Sequence, residues 1–209
     1  MNWVDVVLII LLLTSVIVGS KKGLIRELMA FVVFVVAIVV SVMYIDQFAV
    51  WVYDKVGGSP LVSAFISFTI LIAGSYALFK ILGIIFYKVA NIKSIGKKDQ
   101  MGGALVGFLR GWVLVGFTTF LVFLLPMPAG FYTSFENSFF GPTVAKTIPL
   151  MYEGTSPVHP NSGAFVDKIE FTLLNAQTKG VGATEEERME VYEVLRQMRR
   201  FFTTGTGST

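Results

Sequence analysis

The sequence predicts an all-α membrane protein, with four transmembrane helices followed by an amphipathic helical C-terminal tail. Three observations predict it. Hydrophobic residues make up 54% of the 209 positions and charged residues only 15%, at a mean hydropathy of +0.71, which is too apolar for a water-soluble globule. The 19 Phe also exclude a disordered chain, since disordered sequences are poor in aromatic residues. Charged residues punctuate four apolar stretches, each near the roughly 20 residues that cross a hydrocarbon core about 30 Å thick. Beyond Pro126 the composition turns polar. The organisation read from this is a transmembrane domain over 1–126, an interfacial segment and irregular connection over 127–183, and an amphipathic helix with a disordered end over 184–209.

The first apolar stretch runs from Trp3 to Gly19, with Asp5 its only charge. It lacks the leading Lys or Arg and the small-residue cleavage site of a signal peptide, so it is read as a retained helix. The second, Leu28 to Ile45, is rich in β-branched residues. It should still be helical, because a segment exposed to lipid must satisfy its backbone internally. The third begins at Leu61, after the breaker Gly57, Gly58, Ser59, Pro60. The fourth runs from Gly102 to Pro126, where Pro126 and Pro128 stop it.

Lys and Arg gather in the first and third loops: Lys21, Lys22 and Arg26, then Lys88, Lys93, Lys97 and Lys98. The positive-inside rule predicts that these loops face the cytoplasm and that both termini are extracytoplasmic. The basic residues serve topology without aromatic interleaving, so nucleic acid is not an expected partner. The expected partners are the lipid bilayer and either a second copy of the chain or another envelope protein.

In the tail, Phe131, Tyr132, Phe135 and Phe139 are read as one helical face lying in the membrane interface. Pro142, Pro149, Pro157 and Pro160 predict an irregular connection, followed by a helix over 163–176. A last helix opens with a capping box, Thr184 with Glu187. Its apolar stripe is Val191, Val194, Leu195, Met198, Phe201 and Phe202, which must be covered by the membrane, the bundle or another chain.

No cysteine is present, and His159 is the sole histidine. Disulfides, thiolate metal sites and a cysteine nucleophile are therefore impossible, and no sequence pattern for a metalloprotease, serine hydrolase or phosphate loop occurs. A non-enzymatic protein without cofactor or metal is expected. The sharpest pattern is Asp99, Gly103, Gly107 and Gly111, spaced by four, because small residues at that spacing let two helices approach closely in lipid. Gly19 and Gly23 form a second such pair, and Ser63 with Ser67 and Ala73 with Ala77 add others. Three ionisable residues lie at membrane depth, where their cost makes them candidates for function. Asp5 is expected to be solvated at the interface and Lys80 to snorkel to the headgroups. Arg110 is expected to pair with Glu27.

At these residues the sequence resembles the colicin V production protein family of bacterial inner-membrane proteins. Asn2, Trp3, Val4 and Asp5 before an apolar helix, then Gly19, Lys21, Lys22, Gly23, Arg26 and Glu27, are similar to its first hairpin. Asp99, Gly102, Gly103, Gly107, Arg110 and Gly111 are similar to its other motif. The resemblance covers residues 1 to about 125. It implies a multi-pass protein needed for production or export of a colicin toxin, with a wider role in the envelope. A channel or transporter subunit and a membrane anchor that recruits a partner through its last helix are the rival readings.

Overall fold

The computed structural model describes residues 2–90, 96–159, 163–179 and 184–204, and among these every regular element is helical. Four long helices form the body: α1 (Trp3–Lys22), α2 (Leu24–Val56), α3 (Pro60–Ala90) and α4 (Gly96–Phe123). Each is long and apolar enough to cross a membrane. α1 packs mainly on α4, α4 also packs on α2, and α2 packs on α3.

The second helix is longer than its apolar stretch. Asp46, Gln47, Asp54 and Lys55 do not interrupt it, because polar residues outside the hydrocarbon are compatible with helix and no breaker occurs before Gly57. There the backbone turns to φ 70° and, at Gly58, φ 88°, values that suit glycine. At 33 residues α2 is about 50 Å long, so it overshoots the apolar core and carries the first strut of the tail.

The tail is more helical than its prolines suggest. It comprises α5 (Ala129–Glu136), α6 (Gly141–Ala145), α7 (Thr147–Gly154), a 3-10 turn over Ser156–Val158, α8 (Phe165–Lys179) and α9 (Glu185–Phe202). Pro142 and Pro157 sit in first-turn positions, and Pro149 is the third residue of α7, where a missing N–H leaves no helical hydrogen bond unmade. Pro160 lies outside the described residues.

This tail folds onto one end of the bundle as a cap. Tyr132 and Phe135 are buried against Phe123 at the end of α4, with ring centroids 5.4 and 4.9 Å away. They therefore face protein, and the expected four-residue interfacial face is broken, since α5 ends at Glu136 and Phe139 is 79% exposed. The last helix has the expected capping box, and all six residues of its apolar stripe are buried. They close on the chain's own bundle: Phe201 and Phe202 stand edge-on to Phe123 at 5.3 and 5.2 Å. Arg200 pairs with Glu136 at 2.5 Å, and Lys168 of α8 pairs with Asp46 of α2 at 3.0 Å. Arg199 is held above its usual pKa by its hydrogen bond to Glu170. Of the closing stretch expected to be disordered, Thr204 is buried and bonds to Glu153, while residues 205–209 lie outside the described residues.

Candidate functional site

The opposite end of the bundle carries the basic residues, and here the two sequence motifs form one site. Only Gly23 separates α1 from α2, at φ 83° and ψ 164°. That turn leaves the first amides of α2 without helical partners, as at every helix start. The amide of Leu24 donates to Asp99 Oδ1 at 2.9 Å, so a carboxylate from the first turn of α4 caps α2. A Cβ at Gly23 would collide with that carboxylate. Glycine is thus required twice, for the positive φ and for the space.

From this turn the two helices run backbone to backbone. A Cβ added at Gly103 would lie 2.5 Å from the carbonyl oxygen of Gly19, and one at Gly107 would lie 2.8 Å from that of Ser15 and 2.9 Å from Gly19 Cα. At Gly111 it would meet Ser15 Cβ at 2.5 Å. The glycines of α4 therefore interlock with Ser15, Gly19 and Gly23, themselves spaced by four. Ser15 Oγ adds a hydrogen bond to the Gly107 carbonyl at 2.8 Å. Gly102 sits at the edge of this seam, where an added Cβ would meet Leu24 at 3.0 Å. By contrast Ala73 and Ala77 are exposed, and Ser67 turns back to the Ser63 carbonyl at 2.6 Å within its own helix.

Beside the seam, Glu27 is fully buried. Arg110 Nε approaches its Oε1 at 2.8 Å, and Lys22 Nζ its Oε2 at 3.9 Å. The contact is one of charge more than of aligned hydrogen bonds, as neither carboxylate oxygen nor Arg110 Nε has a hydrogen-bond partner among the described residues. Glu27 also lies in the first turn of α2, where the helix dipole favours an anion. Removing either partner would strand the other charge at membrane depth.

Arg110 lines a cavity of about 310 Å³ with Phe34, Ile72, Ala73, Tyr76 and Leu114. Tyr76 also borders a larger groove between α2 and α3, whose rim carries Lys22, Arg26 and Lys80. The Lys80 ammonium lies 5.9 Å from the centre of the Tyr76 ring.

Asp5 is placed elsewhere, at the capped end, and is not solvated. It is 1% exposed and accepts hydrogen bonds from the amides of Phe139 at 2.8 Å, Phe140 at 3.1 Å and Asn2 at 3.1 Å. Asn2 Nδ2 donates to the Ser134 carbonyl at 2.6 Å. The opening residues of the chain therefore clamp the tail to α1. His159 is buried too, stacked on Tyr152 at 4.3 Å and 3.0 Å from Thr155 Oγ1. Among the described residues no group of three or more His, Asp or Glu is placed to hold a metal ion.

The family model described as colicin V production protein matches residues 4–149. The chain belongs to the colicin V production protein family. A relative, uncharacterized transmembrane protein YshB of Bacillus subtilis (strain 168), is 26% identical over 141 residues, covering 60% of this chain and 80% of that protein. No solved structure matches significantly. For this colicin V production family member the match extends past the motifs, through α5 and α6 into α7. It thus includes the backbone that Asp5 holds.

Sequence reasoning missed Ser15 and Tyr76, and named Lys22 without its approach to Glu27. Ser15 continues the four-residue spacing of Gly19 and Gly23, and Tyr76 stands one turn from Lys80, so both had a local signal. The approach of Lys22 had no local signal, because it depends on the turn at Gly23.

Proposed function

We propose that this protein is a non-enzymatic inner-membrane helper in the production or export of a colicin-type toxin, with both termini outside the cytoplasm. The observation that carries the reading is the coincidence of the family match with a single built unit: the glycine seam, the Glu27–Arg110 pair and the Asp5 clamp all lie within residues 4–149. A unit built by close backbone approach and a buried charge pair suits a scaffold. The basic end, carrying Lys21, Lys22 and Arg26, faces the cytoplasm by the positive-inside rule. The cap then faces outward, where an exported peptide would be met.

The test is complementation in a toxin-producing strain that lacks its own family member. Wild-type chain should restore secreted killing activity, and Arg110→Ala at equal membrane abundance should not. Equal secretion with and without the chain would reject the role.

A second reading, a subunit of an oligomeric channel or transporter, is favoured by the cavity beside Arg110, since charged residues at a constriction can select what passes. Ion flux in liposomes that is lost in Arg110→Ala would support it, and no flux at high protein density would sink it.

A further inference from the structure

The groove between α2 and α3 at the basic end has features that neither topology nor the seam requires. It encloses about 320 Å³, and three cations rim it: Lys22, Arg26 and Lys80. Below them Ala30 and Val33 make the walls apolar, while at the level of the cations Gly83, three residues beyond Lys80 toward the basic end, opens a notch in which an added Cβ would touch nothing within 4 Å. Glu27 is buried behind this rim and is engaged closely by Arg110, with Lys22 at 3.9 Å. Among the described residues no carboxylate lies within 4 Å of Lys80, which faces the Tyr76 ring. Arg26 holds an interaction within the protein as well.

We propose that this groove binds one anionic phospholipid, its phosphate among Lys22, Arg26 and Lys80 and seated against the Gly83 notch, and an acyl chain along Ala30 and Val33. Cations above an apolar slot match an anionic head on a hydrocarbon tail. A free phosphate would satisfy the rim and leave the slot empty. Bound there, the lipid would bridge α2 and α3 at the basic end, independently of any role in toxin export.

The experiment is native mass spectrometry of the full chain, delipidated in detergent and offered phosphatidylglycerol or phosphatidylcholine with the same acyl chains. One phosphatidylglycerol should be retained in preference to phosphatidylcholine. Lys80→Gln should weaken that preference about fivefold, the worth of one cation near an anionic headgroup. Gly83→Leu, which fills the notch and leaves every charge in place, should abolish retention. Lys97→Gln with Lys98→Gln removes two charges from the same end but outside the groove, and should change nothing. Each variant is compared at an unchanged unfolding midpoint, and the exposure of Lys80 and the open space at Gly83 make both substitutions compatible with the fold. Absence of a preference in the wild type overturns the proposal. So does an equal loss in the Lys97 and Lys98 variant, which would mark a diffuse surface charge. Displacement of the lipid by millimolar inorganic phosphate would replace it with a free anion.

Discussion

The two ends of the bundle are held by opposite means. At the basic end α1 and α4 meet through glycines, so close that an added methyl would overlap backbone atoms of the partner. At the capped end, Phe123 is ringed by Phe131, Tyr132, Phe135, Phe201 and Phe202 with centroids 4.9 to 5.6 Å away. One interface is made of missing side chains and the other of the largest ones. The difference follows from the solvent. In lipid, apolar side chains gain little by meeting each other, and close backbone approach with dispersion is what remains. Outside it, a polar tail can be folded onto the bundle only by removing aromatic surface from water. Alanine is thus too small for one region and too large for the other.

Phe123→Ala should have the largest effect, because a fully buried Phe at the centre of a cluster costs about 3–5 kcal/mol when truncated. The loss should fall on the cap. Amide exchange should rise in α5 and α9 while the amides of α1 near Gly19 stay protected, and a uniform rise through both regions would show that the two ends are not independent. Glu27→Ala should come next, at about 3–5 kcal/mol, through the Arg110 charge that it strands. Arg110→Ala should cost a similar amount. The double variant should lose less than the two single losses together when SDS unfolding midpoints are compared, and strict additivity would deny the coupling.

The seam was legible in the sequence because its logic is local and periodic. Gly103, Gly107 and Gly111 announce a close approach by spacing alone, and the Glu27–Arg110 pairing follows from charge at membrane depth with few alternatives. The cap was not legible in the same way. The burial of Asp5 depends on the amides of Phe139 and Phe140, more than 130 residues away in sequence, and an acidic residue one turn from a helix start is ordinarily solvated. Prolines that signal irregular chain can equally open short helices, as Pro142 does. The stripe of α9 was plain, but its partner was not, since an amphipathic pattern states that a face must be covered without saying by what.

The reciprocal experiment places the same alanine at the seam. Gly107→Ala adds a methyl whose carbon would lie 2.8 Å from the Ser15 carbonyl oxygen and 2.9 Å from Gly19 Cα. Both are backbone, so no rotamer change can relieve the contact and the helices must separate. An overpacking cost of about 1–3 kcal/mol is expected. Ser15 Oγ should also lose its bond to the Gly107 carbonyl. Gly130→Ala in α5, where an added Cβ touches nothing within 4 Å, is the control and should be neutral. If both substitutions are neutral by SDS unfolding, the close approach does not hold the seam together.

The smallest effect separates the ends by pH. Glu193 on α9 is held below the usual glutamate range, first by the hydrogen bond from Gln197, then by that from Arg196, at 2.9 and 2.8 Å. A depressed folded value means that the carboxylate stabilises the cap fully above its unfolded value of about 4.3. That contribution fades as the pH falls below 4.3 toward the lower folded value. Since the Glu193 side chain is 48% exposed, solvent screening keeps it well under about 1 kcal/mol. Wild type should therefore unfold at a slightly higher temperature than Glu193→Gln at pH 6, with the gap closing as the solution is acidified through this window. The Glu27 pair lies behind protein at the other end and takes no part in that difference, so the gap should persist unchanged when Glu27→Ala is added to both chains. A gap that stays constant into acid would mean that the carboxylate of Glu193 does not anchor α9 through its charge.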